Sequence, residues 1–441
     1  MRLEPKEISR RKWLYALVNA GIMMPYAATG AFLIFYYTDI KKLSPVLMGT
    51  VTAVYAVYNA LNNSVLGHLS DRTRSRWGRR IPYVVFSSVP FAICFALLWL
   101  APFDAQSQTV PLLVYLALGM ILWEGLGTAI ATGYYSLLPE MFPDYSEQTE
   151  VSVRMNIVQT LALLVGSVTP GLLAARIGWF GMGITLGIIG LICLLVGARG
   201  LFERNSSLNT GLALWPAIKA TFSSKPFLLV MLAQTMRHLS TNILASGMPF
   251  FVKYALKADA NQGSLALGAA FVTAAIVLPI WRKISARLGA RGTLLAANLC
   301  MACATLPLAI VSSLGQAITV AVLIGTGFSG LILMGDVILS DVIDEDQLRT
   351  GTRREGMYFG TISTVTTLTG IITGTLFALT SSWSGYNPIL ETQPETVGFG
   401  FRMMLTLTPF FASCIAMIAL FAYPLHGKTL EQLRQALGNT R

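Results

Sequence analysis

Charged residues are scarce in this sequence. Lys, Arg, Asp and Glu make up 12% of its 441 residues, whereas 54% are hydrophobic. A soluble domain carries about twice that share of charge, so the composition excludes a water-soluble protein. A helix needs about 20 mostly apolar residues to cross a bilayer, and the length leaves room for about twelve such helices.

Residues suited to metal binding or redox chemistry are also few. The sequence has three histidines and five cysteines, and every cysteine falls inside an apolar run. The spacing Cys300-x-x-Cys303 lacks the second ligand pair of a zinc site, so we interpret the cysteines as packing residues. Residues 325–330 match G-x-G-x-x-G but follow no strand, which argues against nucleotide binding. We expect no metal, no cofactor and no catalytic residues.

Positive charge is distributed unevenly along the chain. Twelve apolar runs extend from 13–38 to 398–424, and the formal net charge is +11. With the N-terminus in the cytoplasm, 24 of the 32 lysines and arginines fall in cytoplasmic segments and 6 on the opposite side. This bias is typical of membrane proteins, so it predicts cytoplasmic termini and gives no reason to expect nucleic-acid binding.

The chain also shows signs of internal duplication. The polar stretch 203–225 separates six predicted spans from six, and the basic loop 72–80 is similar to 282–291. Duplicated halves are typical of carriers that rock around a central site. The predicted units are an N-terminal six-helix bundle at 1–202, a cytoplasmic linker at 203–225, a C-terminal bundle at 226–425 and a cytoplasmic tail at 426–441.

The most specific motif follows the second predicted span. Residues 67–82 read GHLSDRTRSRWGRRIP, and a second polar block, 340–358, reads SDVIDEDQLRTGTRREGMY. A basic cytoplasmic loop alone would explain the arginines, but it would not explain Asp71 and Gly78 at these positions. Glycine permits close helix approach, and an aspartate can accept hydrogen bonds from a neighbouring helix end in one state of a carrier.

The first block resembles the helix-two loop signature of the major facilitator superfamily, in the form found in its glycoside-pentoside-hexuronide cation symporters. The second block, Tyr36–Asp39 and Ser136–Pro139 match as well. The resemblance implies an all-α fold of twelve transmembrane helices in two pseudo-symmetric bundles, and a secondary transporter that works by alternating access. It also implies a cytoplasmic gate at Gly67, Asp71, Arg72, Gly78, Arg79, Asp341, Asp344 and Arg353, with Arg154 of helix five.

The cation site of the family's melibiose-type members is not matched. Their two helix-two aspartates correspond to Asn59 and Asn63, their helix-four aspartate to Ala131 and their helix-eleven lysine to Thr367. Buried ion pairs are costly when one partner is missing, so we interpret the set as replaced together. A sodium site without a carboxylate should bind weakly. We therefore expect proton-coupled or uncoupled transport, not sodium coupling.

Glu124, near the middle of the fourth span, is the main candidate for a coupling or substrate-binding group. A charge at that depth costs about 2.5–3.5 kcal/mol on insertion scales, so it should face a cavity. Thr128 and Tyr135 share its helix face, and Tyr135 matches the family's sugar-stacking tryptophan. The alternative for Glu124 is a structural hydrogen bond to a neighbouring helix.

Other polar residues complete the predicted site. Arg237 and His238 are candidates for binding an anionic group or relaying a proton, although a single histidine is more often a packing residue. Asp336 is expected to be buried and to pair with Arg237 or Arg154. Asparagine and tyrosine on helices one and two suit hydroxyl-rich ligands or helix contacts. These residues are Asn19, Tyr26, Tyr55, Asn59, Asn62 and Asn63.

These features predict a transporter for a sugar, glycoside or related organic solute, as a monomer in the inner or plasma membrane. A lysolipid or other amphiphile is the alternative substrate, since one branch of the family carries lysolipids. A membrane enzyme acting on a lipid would need a nucleophile and base at recognisable spacing, which the sequence lacks. A sensor derived from a transporter would need an added domain.

Overall fold

The computed structural model describes residues 5–72, 78–142, 144–203, 222, 224–350 and 354–439. Side chains are described within these ranges except at 5, 6, 63–72, 139, 145, 146, 355, 356, 434 and 437–439. Arg353 and most of the predicted linker therefore lie outside the described residues, as do the side chains of Asn63, Asp71 and Arg72 and the surroundings of Gly67. The described ranges contain helices and no strand, as an all-α fold requires.

The described chain is built from twelve α-helices. They are α1 (Pro5–Phe35), α2 (Pro45–Arg72), α3 (Ile81–Leu98), α4 (Thr109–Met141), α5 (Tyr145–Ala198), α6 (Lys225–Phe250), α7 (Gly263–Thr305), α8 (Leu314–Thr350), α9 (Glu355–Thr367), α10 (Thr369–Ser384), α11 (Glu395–Phe421) and α12 (Lys428–Asn439). One π-helical turn extends α1 through Tyr36–Ile40, and another extends α6 through Phe251–Ala255.

Eight helical segments of the described chain are long and apolar enough to cross a membrane. They include α1, α3, α4, α5, α7, α8, the pair α9 and α10, and α11. Helix α6 is absent from this set because Gln234, Arg237 and His238 interrupt its apolar sequence. In a membrane such polar residues are expected to face the interior of the protein.

Helix α5 reverses direction at Gly178, whose φ of 74° and ψ of 167° are not helical. Before this glycine, α5 runs parallel to α1 along their contact. After it, α5 runs antiparallel to α1. The contacts are Lys12–Glu150 and Met24–Gly166 before the reversal, and Gly21–Gly190 and Val18–Gly197 after it. The arms 145–177 and 179–198 are therefore antiparallel.

Helix α7 reverses in the same way at Gly289, with φ of 67° and ψ of 178°. Its contacts with α8 show the change of direction. They are Ala270–Gly325 and Ala274–Ser329 before the reversal, and Met301–Gly327 and Ala297–Gly330 after it. A side chain is strained at such positive φ values, so glycine permits both reversals.

Helices α1–α5 pack on one another, and so do α6–α11. The two groups meet where α1 contacts α6, α2 contacts α10 and α5 contacts α7. One end of the assembly carries Asp39, and we call it the Asp39 end. The opposite end carries Glu140 and is called the Glu140 end. Close contacts between the groups lie towards the Asp39 end, as in the pairs Phe35–Phe250 and Gly49–Gly374.

Candidate functional site

Glu124 lies midway along α4 and is only 3% exposed. Tyr55 of α2 and Tyr26 of α1 donate hydrogen bonds to its Oε2 atom, at 2.5 and 3.1 Å. Thr128, one turn along α4, donates to Oε1 at 3.3 Å. Within the described ranges, no lysine, arginine or histidine forms an ion pair with this carboxyl group. Its partners are hydroxyl groups from three helices.

Glycine allows the tyrosines to come this close. A Cβ atom at Gly127 would lie 2.4 Å from the Tyr26 hydroxyl oxygen, and one at Gly125 would lie 2.9 Å from that of Tyr58. The Tyr26 ring also packs on Trp123, with ring centroids 4.6 Å apart. Helix α4 therefore combines small residues and an aromatic ring around the Glu124 carboxyl group.

A second set of polar contacts lies closer to the Glu140 end. The Tyr135 hydroxyl donates to Oδ1 of Asn19 at 3.1 Å, and the Asn19 amide donates to Gln159 at 3.3 Å. Tyr135 is 42% exposed, so its ring remains available to a ligand. The sequence argument missed Gln159, because a single glutamine in an apolar helix carries no specific signal.

The asparagines of α2 have different environments. Asn59 lies one helical turn from Tyr55 on α2 and so is placed beside the Glu124 cluster. Asn62 is 7% exposed, and its Nδ2 atom has no hydrogen-bond partner among the described residues. The other helix group contributes Asn242, which donates to Thr369 at 3.1 Å. Asparagines of α2 therefore lie in the same helix group as Glu124. In the other group, a polar contact joins α6 to α10.

Arg237 and His238 lie together on α6. The Arg237 guanidinium donates to the Gln234 side chain at 2.8 Å and lies 3.2 Å from Nε2 of His238. Gly335 of α8 packs against Gln234, which brings the next residue, Asp336, close enough for its charge to act on Arg237. The structure favours Arg237 over Arg154 as the neighbour of Asp336.

Asp336 differs from the prediction in one respect. It is exposed, although burial was expected. The sequence shows only that Asp336 lies in an apolar segment, whereas exposure depends on which face of α8 the other helices cover.

The Glu124 and Arg237 clusters lie at similar depths in the two groups. Tyr26 precedes Asp39 by 13 residues and Arg237 precedes Lys253 by 16, which correspond to about 20 and 24 Å of helix. Asp39 and Lys253 are in contact. The polar faces of α4 and α6 are thus at comparable distances from the Asp39 end.

Arg154 lies elsewhere, near the Glu140 end. Its guanidinium donates to Glu150 at 2.5 Å and to the Ser9 carbonyl at 3.0 Å, and it lies over the Trp13 ring. Glu150 also accepts a hydrogen bond from Lys12 at 2.6 Å. The structure therefore does not bring Arg154 together with Glu124. Instead, Arg154 links α5 to the start of α1 through these contacts.

The predicted gate region at the Glu140 end contains a contact that the sequence did not reveal. The Glu203 carboxylate accepts backbone N–H groups of Arg79 and Arg80 at 2.6 Å and of Ile81 at 2.9 Å, which caps the start of α3. Gly78 has φ of 100°, and a Cβ atom there would lie 2.5 Å from the Glu203 carboxyl carbon. Glu203 had been assigned only to the linker.

Glu140 and Asp346 each form ion pairs with arginines of this region. Arg79 and Arg80 each lie 2.7 Å from the Glu140 carboxylate. In the second helix group, Arg354 pairs with Asp346 at 2.6 Å, and Asp346 is 2% exposed. Of the predicted gate residues of α8, Asp341 is buried and Asp344 is partly buried. Asp346 and Arg354 were in the second sequence block but were not selected.

Comparison with known proteins identifies the family. The family model described as "MFS/sugar transport protein" matches residues 14–427. The chain belongs to this family. This match confirms the predicted family. It also confirms the prediction that the protein is a multi-pass membrane transporter and not an enzyme.

Relatives within the family cover most of the chain. The isoprimeverose transporter of Lactiplantibacillus pentosus is 25% identical over 78% of this chain and 74% of its own length. The glucuronide carrier protein homolog of Escherichia coli K12 is 22% identical over 97% and 95%. The sodium-dependent lysophosphatidylcholine symporter 1-A of Danio rerio is 18% identical over 97% and 89%.

A solved structure supports the same fold. A bacterial homolog of the human lysosomal transporter Spinster aligns with a TM-score of 0.74 and 13% identity, covering 96% of this chain and 98% of its own. The family's fold thus places the Glu124 and Arg237 clusters on helices of two different groups.

Proposed function

We propose that this transporter carries a sugar, glycoside or related hydroxylated solute in symport with protons, and that Glu124 is the proton-binding group. The observation that carries the proposal is a buried carboxyl group held by tyrosine and threonine hydroxyls, with no cationic partner among the described residues. A buried carboxylate without a counter-ion is costly, whereas its protonated form is neutral. Binding and release of a proton would therefore accompany movement of the site between the two sides.

The hydroxyl groups around Glu124 fit both protonation states. A tyrosine or threonine hydroxyl donates to an ionised carboxylate and accepts from a protonated one. Asn59 lies one helical turn from Tyr55, and Asn19 and Tyr135 add further polar atoms. Amides, hydroxyls and aromatic faces are suited to a solute with many hydroxyl groups, and the similarity to the isoprimeverose and glucuronide carriers supports this substrate class.

We further infer twelve membrane spans. Division of α5 at Gly178 and α7 at Gly289 converts the eight apolar segments into ten, and α2 and α6 complete twelve. The two helix groups then correspond to the predicted bundles 1–202 and 226–425. Lysine and arginine are enriched in the segments of the Glu140 end. We therefore assign this end, with both termini, to the cytoplasmic side of the inner or plasma membrane.

With that orientation, the structure corresponds to an inward-facing state. The two groups touch through Asp39, Lys253, Tyr254 and Tyr386 at the outer end. Tyr135 and Asp336 are exposed nearer the inner end. Transport then requires these outer contacts to break while the groups close at the Glu140 end, with the site in between.

Sodium coupling is not part of this proposal. The positions that correspond to the family's two helix-two cation-site aspartates hold Asn59 and Asn63, which carry no charge. A lysolipid is the second candidate substrate, because relatives named as lysophosphatidylcholine symporters cover 97% of this chain. A monomer is proposed as the working unit, since each chain supplies both helix groups.

Uptake into proteoliposomes tests the proposal. Labelled isoprimeverose, a methyl glucuronide and lysophosphatidylcholine are offered with an imposed proton or sodium gradient. We expect acid outside to accelerate uptake of a glycoside, and Glu124→Gln to remove this acceleration while counterflow exchange persists. Glu391→Gln, an exposed carboxyl, is the control. Uptake driven by sodium, or acceleration that survives Glu124→Gln, overturns the proton mechanism.

A further inference from the structure

The two π-helical turns at the Asp39 end have the same backbone ending. They are Tyr36–Ile40 in the first helix group and Phe251–Ala255 in the second. The second residue after each turn is a lysine with positive φ, at 64° for Lys42 and 53° for Lys257. Positive φ is uncommon for residues other than glycine, so its recurrence indicates one structural motif used in both groups. Each turn carries one partner of the ion pair that joins the groups.

Several side chains anchor the first turn to the end of α3. The hydroxyls of Tyr36 and Tyr37 donate to carbonyls at the end of this helix, at 2.7 and 2.8 Å. The ammonium of Lys41, which follows the turn, donates to the Ala101 carbonyl at 2.6 Å and lies over the Tyr36 ring. The first turn therefore keeps other anchors if one of these is lost.

In the second turn, Arg402 of α11 makes the corresponding contacts. Its guanidinium lies over the Phe251 ring, 5.7 Å from the ring centroid, and its Nη2 atom donates to the Ala255 carbonyl at 3.2 Å. It thus contacts the first and the last residue of the turn. The tyrosines of the first turn correspond here to Phe251 and Val252, which have no hydroxyl group. The Nη1 atom donates to carbonyls where α7 ends, namely those of Leu308, Ala309 and Val311.

Arg402 therefore bridges the second turn and the end of α7. Carbonyl groups at helix ends carry partial negative charge and lack intrahelical donors, so they favour a cation. The planar guanidinium presents its donors in a fixed fork, which holds the two bound segments in one relative position. All of these partners belong to the second helix group, so the bridge can persist when the groups separate.

We propose that Arg402 is a positioning residue for closure of the Asp39 end. By holding the second turn, it places Lys253 and Tyr254 where both reach Asp39. A contact surface that is ordered before closure loses less conformational entropy when the groups meet, so the closed state is favoured. Loss of Arg402 then shifts the population towards the state that is open at this end. This inference rests on the alternating access proposed above, but not on proton coupling or on the identity of the solute.

Maleimide labelling of the full chain in neutral-lipid nanodiscs tests the proposal without substrate or a proton gradient. The reporter is Ala378→Cys, at a position that contacts Gly49 across the helix groups. Labelling of the native cysteines is measured in the chain that keeps Ala378 and is subtracted. We expect Arg402→Gln to accelerate labelling at least about threefold. Lys41→Gln should accelerate it less, because the two tyrosine anchors of the first turn remain.

Arg291→Gln is the matched control. The Arg291 guanidinium also donates to two carbonyls at the end of a helix, those of Leu420 and Phe421, both at 2.8 Å. These contacts lie in the second helix group but at the Glu140 end. The control therefore loses the same kind of interaction, yet labelling of the reporter should not become faster. Equal acceleration in Arg402→Gln and Arg291→Gln would indicate a general loosening of the second helix group and would reject the proposal.

Two further comparisons separate positioning from a general effect on stability. In the Asp39→Asn background the ion pair is already lost, so Arg402→Gln should add less than about twofold. A full, multiplied acceleration in the double variant, or no acceleration in the single variant, rejects the proposal.

Arg402→Lys gives a second test, which also holds if Arg402→Gln fails to accumulate in the membrane. Lysine keeps the positive charge but lacks the planar fork, so labelling should still be faster than in the unmodified chain. A rate equal to that of the unmodified chain would show that the charge alone is sufficient, and this would reject the bridging role of Arg402.

Discussion

Asp39 of the first helix group and Lys253 of the second form an ion pair that joins the two groups at one end. The Asp39 side chain is 1% exposed and also accepts hydrogen bonds from the hydroxyls of Tyr254 and Tyr386. Burial, and next the negative charge of Asp39, raises the pKa of Tyr386 above its ordinary value, so this hydroxyl remains a donor. Both ion-pair partners lie on the π-helical turns that end α1 and α6. A buried carboxylate with three donors from the opposite group makes separation costly.

Loss of the Asp39 charge should open this end more often. In Asp39→Asn, the amide cannot form the ion pair, and the closed state loses stability. A cysteine introduced at Ala378, which contacts Gly49 across the groups, reports the change. We expect a water-soluble maleimide to label it at least about fivefold faster in Asp39→Asn. The same rate in both backgrounds would show that Asp39 does not control closure.

The Tyr55 hydroxyl should be needed for transport. Tyr55→Phe removes the 2.5 Å hydrogen bond to Glu124, and loss of a hydrogen bond to a buried carboxyl group costs about 1–3 kcal/mol. Glycoside uptake should fall about tenfold or more. Tyr115→Phe is the control, because it also loses one hydroxyl hydrogen bond, to the Leu97 carbonyl, far along α4. If Tyr55→Phe and Tyr115→Phe take up the glycoside at the same rate, the hydrogen bond from Tyr55 to Glu124 is not required for transport.

Gly127 should tolerate no side chain. In Gly127→Ala, the new methyl group would lie 2.4 Å from the Tyr26 hydroxyl, which must move away from Glu124. Overpacking of this kind costs about 1–3 kcal/mol. We expect normal amounts of membrane-inserted protein and a loss of most uptake activity. Gly30→Ala has no atom within 4 Å of the new methyl group and should match the unmodified chain. Equal activity in both variants would contradict the packing argument.

The cap provided by Glu203 should contribute to stability and not to substrate binding. Glu203→Ala leaves three backbone N–H groups of the α3 start without their acceptor. A hydrogen bond to a charged group contributes about 1.5–3 kcal/mol, so thermal aggregation should begin several degrees lower. Size-exclusion chromatography after heating measures this change. Glu431→Ala, on an exposed residue of α12, should behave like the unmodified chain. An unchanged aggregation temperature for Glu203→Ala would exclude the capping role.

Part of this site was accessible from sequence because the relevant signals are local. A carboxyl group in the middle of an apolar run must be neutralised, paired or exposed to a cavity, and this singled out Glu124. Helical periodicity placed Thr128 on the same face, one turn away, where its hydroxyl reaches the carboxyl group. Asp336 shows the limit of the same reasoning, since a position within an apolar segment does not determine whether a neighbouring helix covers it.

The sequence by itself determined the all-α class, the family and the presence of a buried acid on α4, because composition, periodicity and contiguous motifs are properties of neighbouring residues. Tertiary structure decided which groups meet: Tyr26 and Tyr55 at Glu124, Lys253 at Asp39, and Glu203 at the start of α3. These partners are separated by 69 to 214 residues along the chain. Their contact depends on how whole helices pack and reverse, as at Gly178 and Gly289, and no local pattern specifies that geometry.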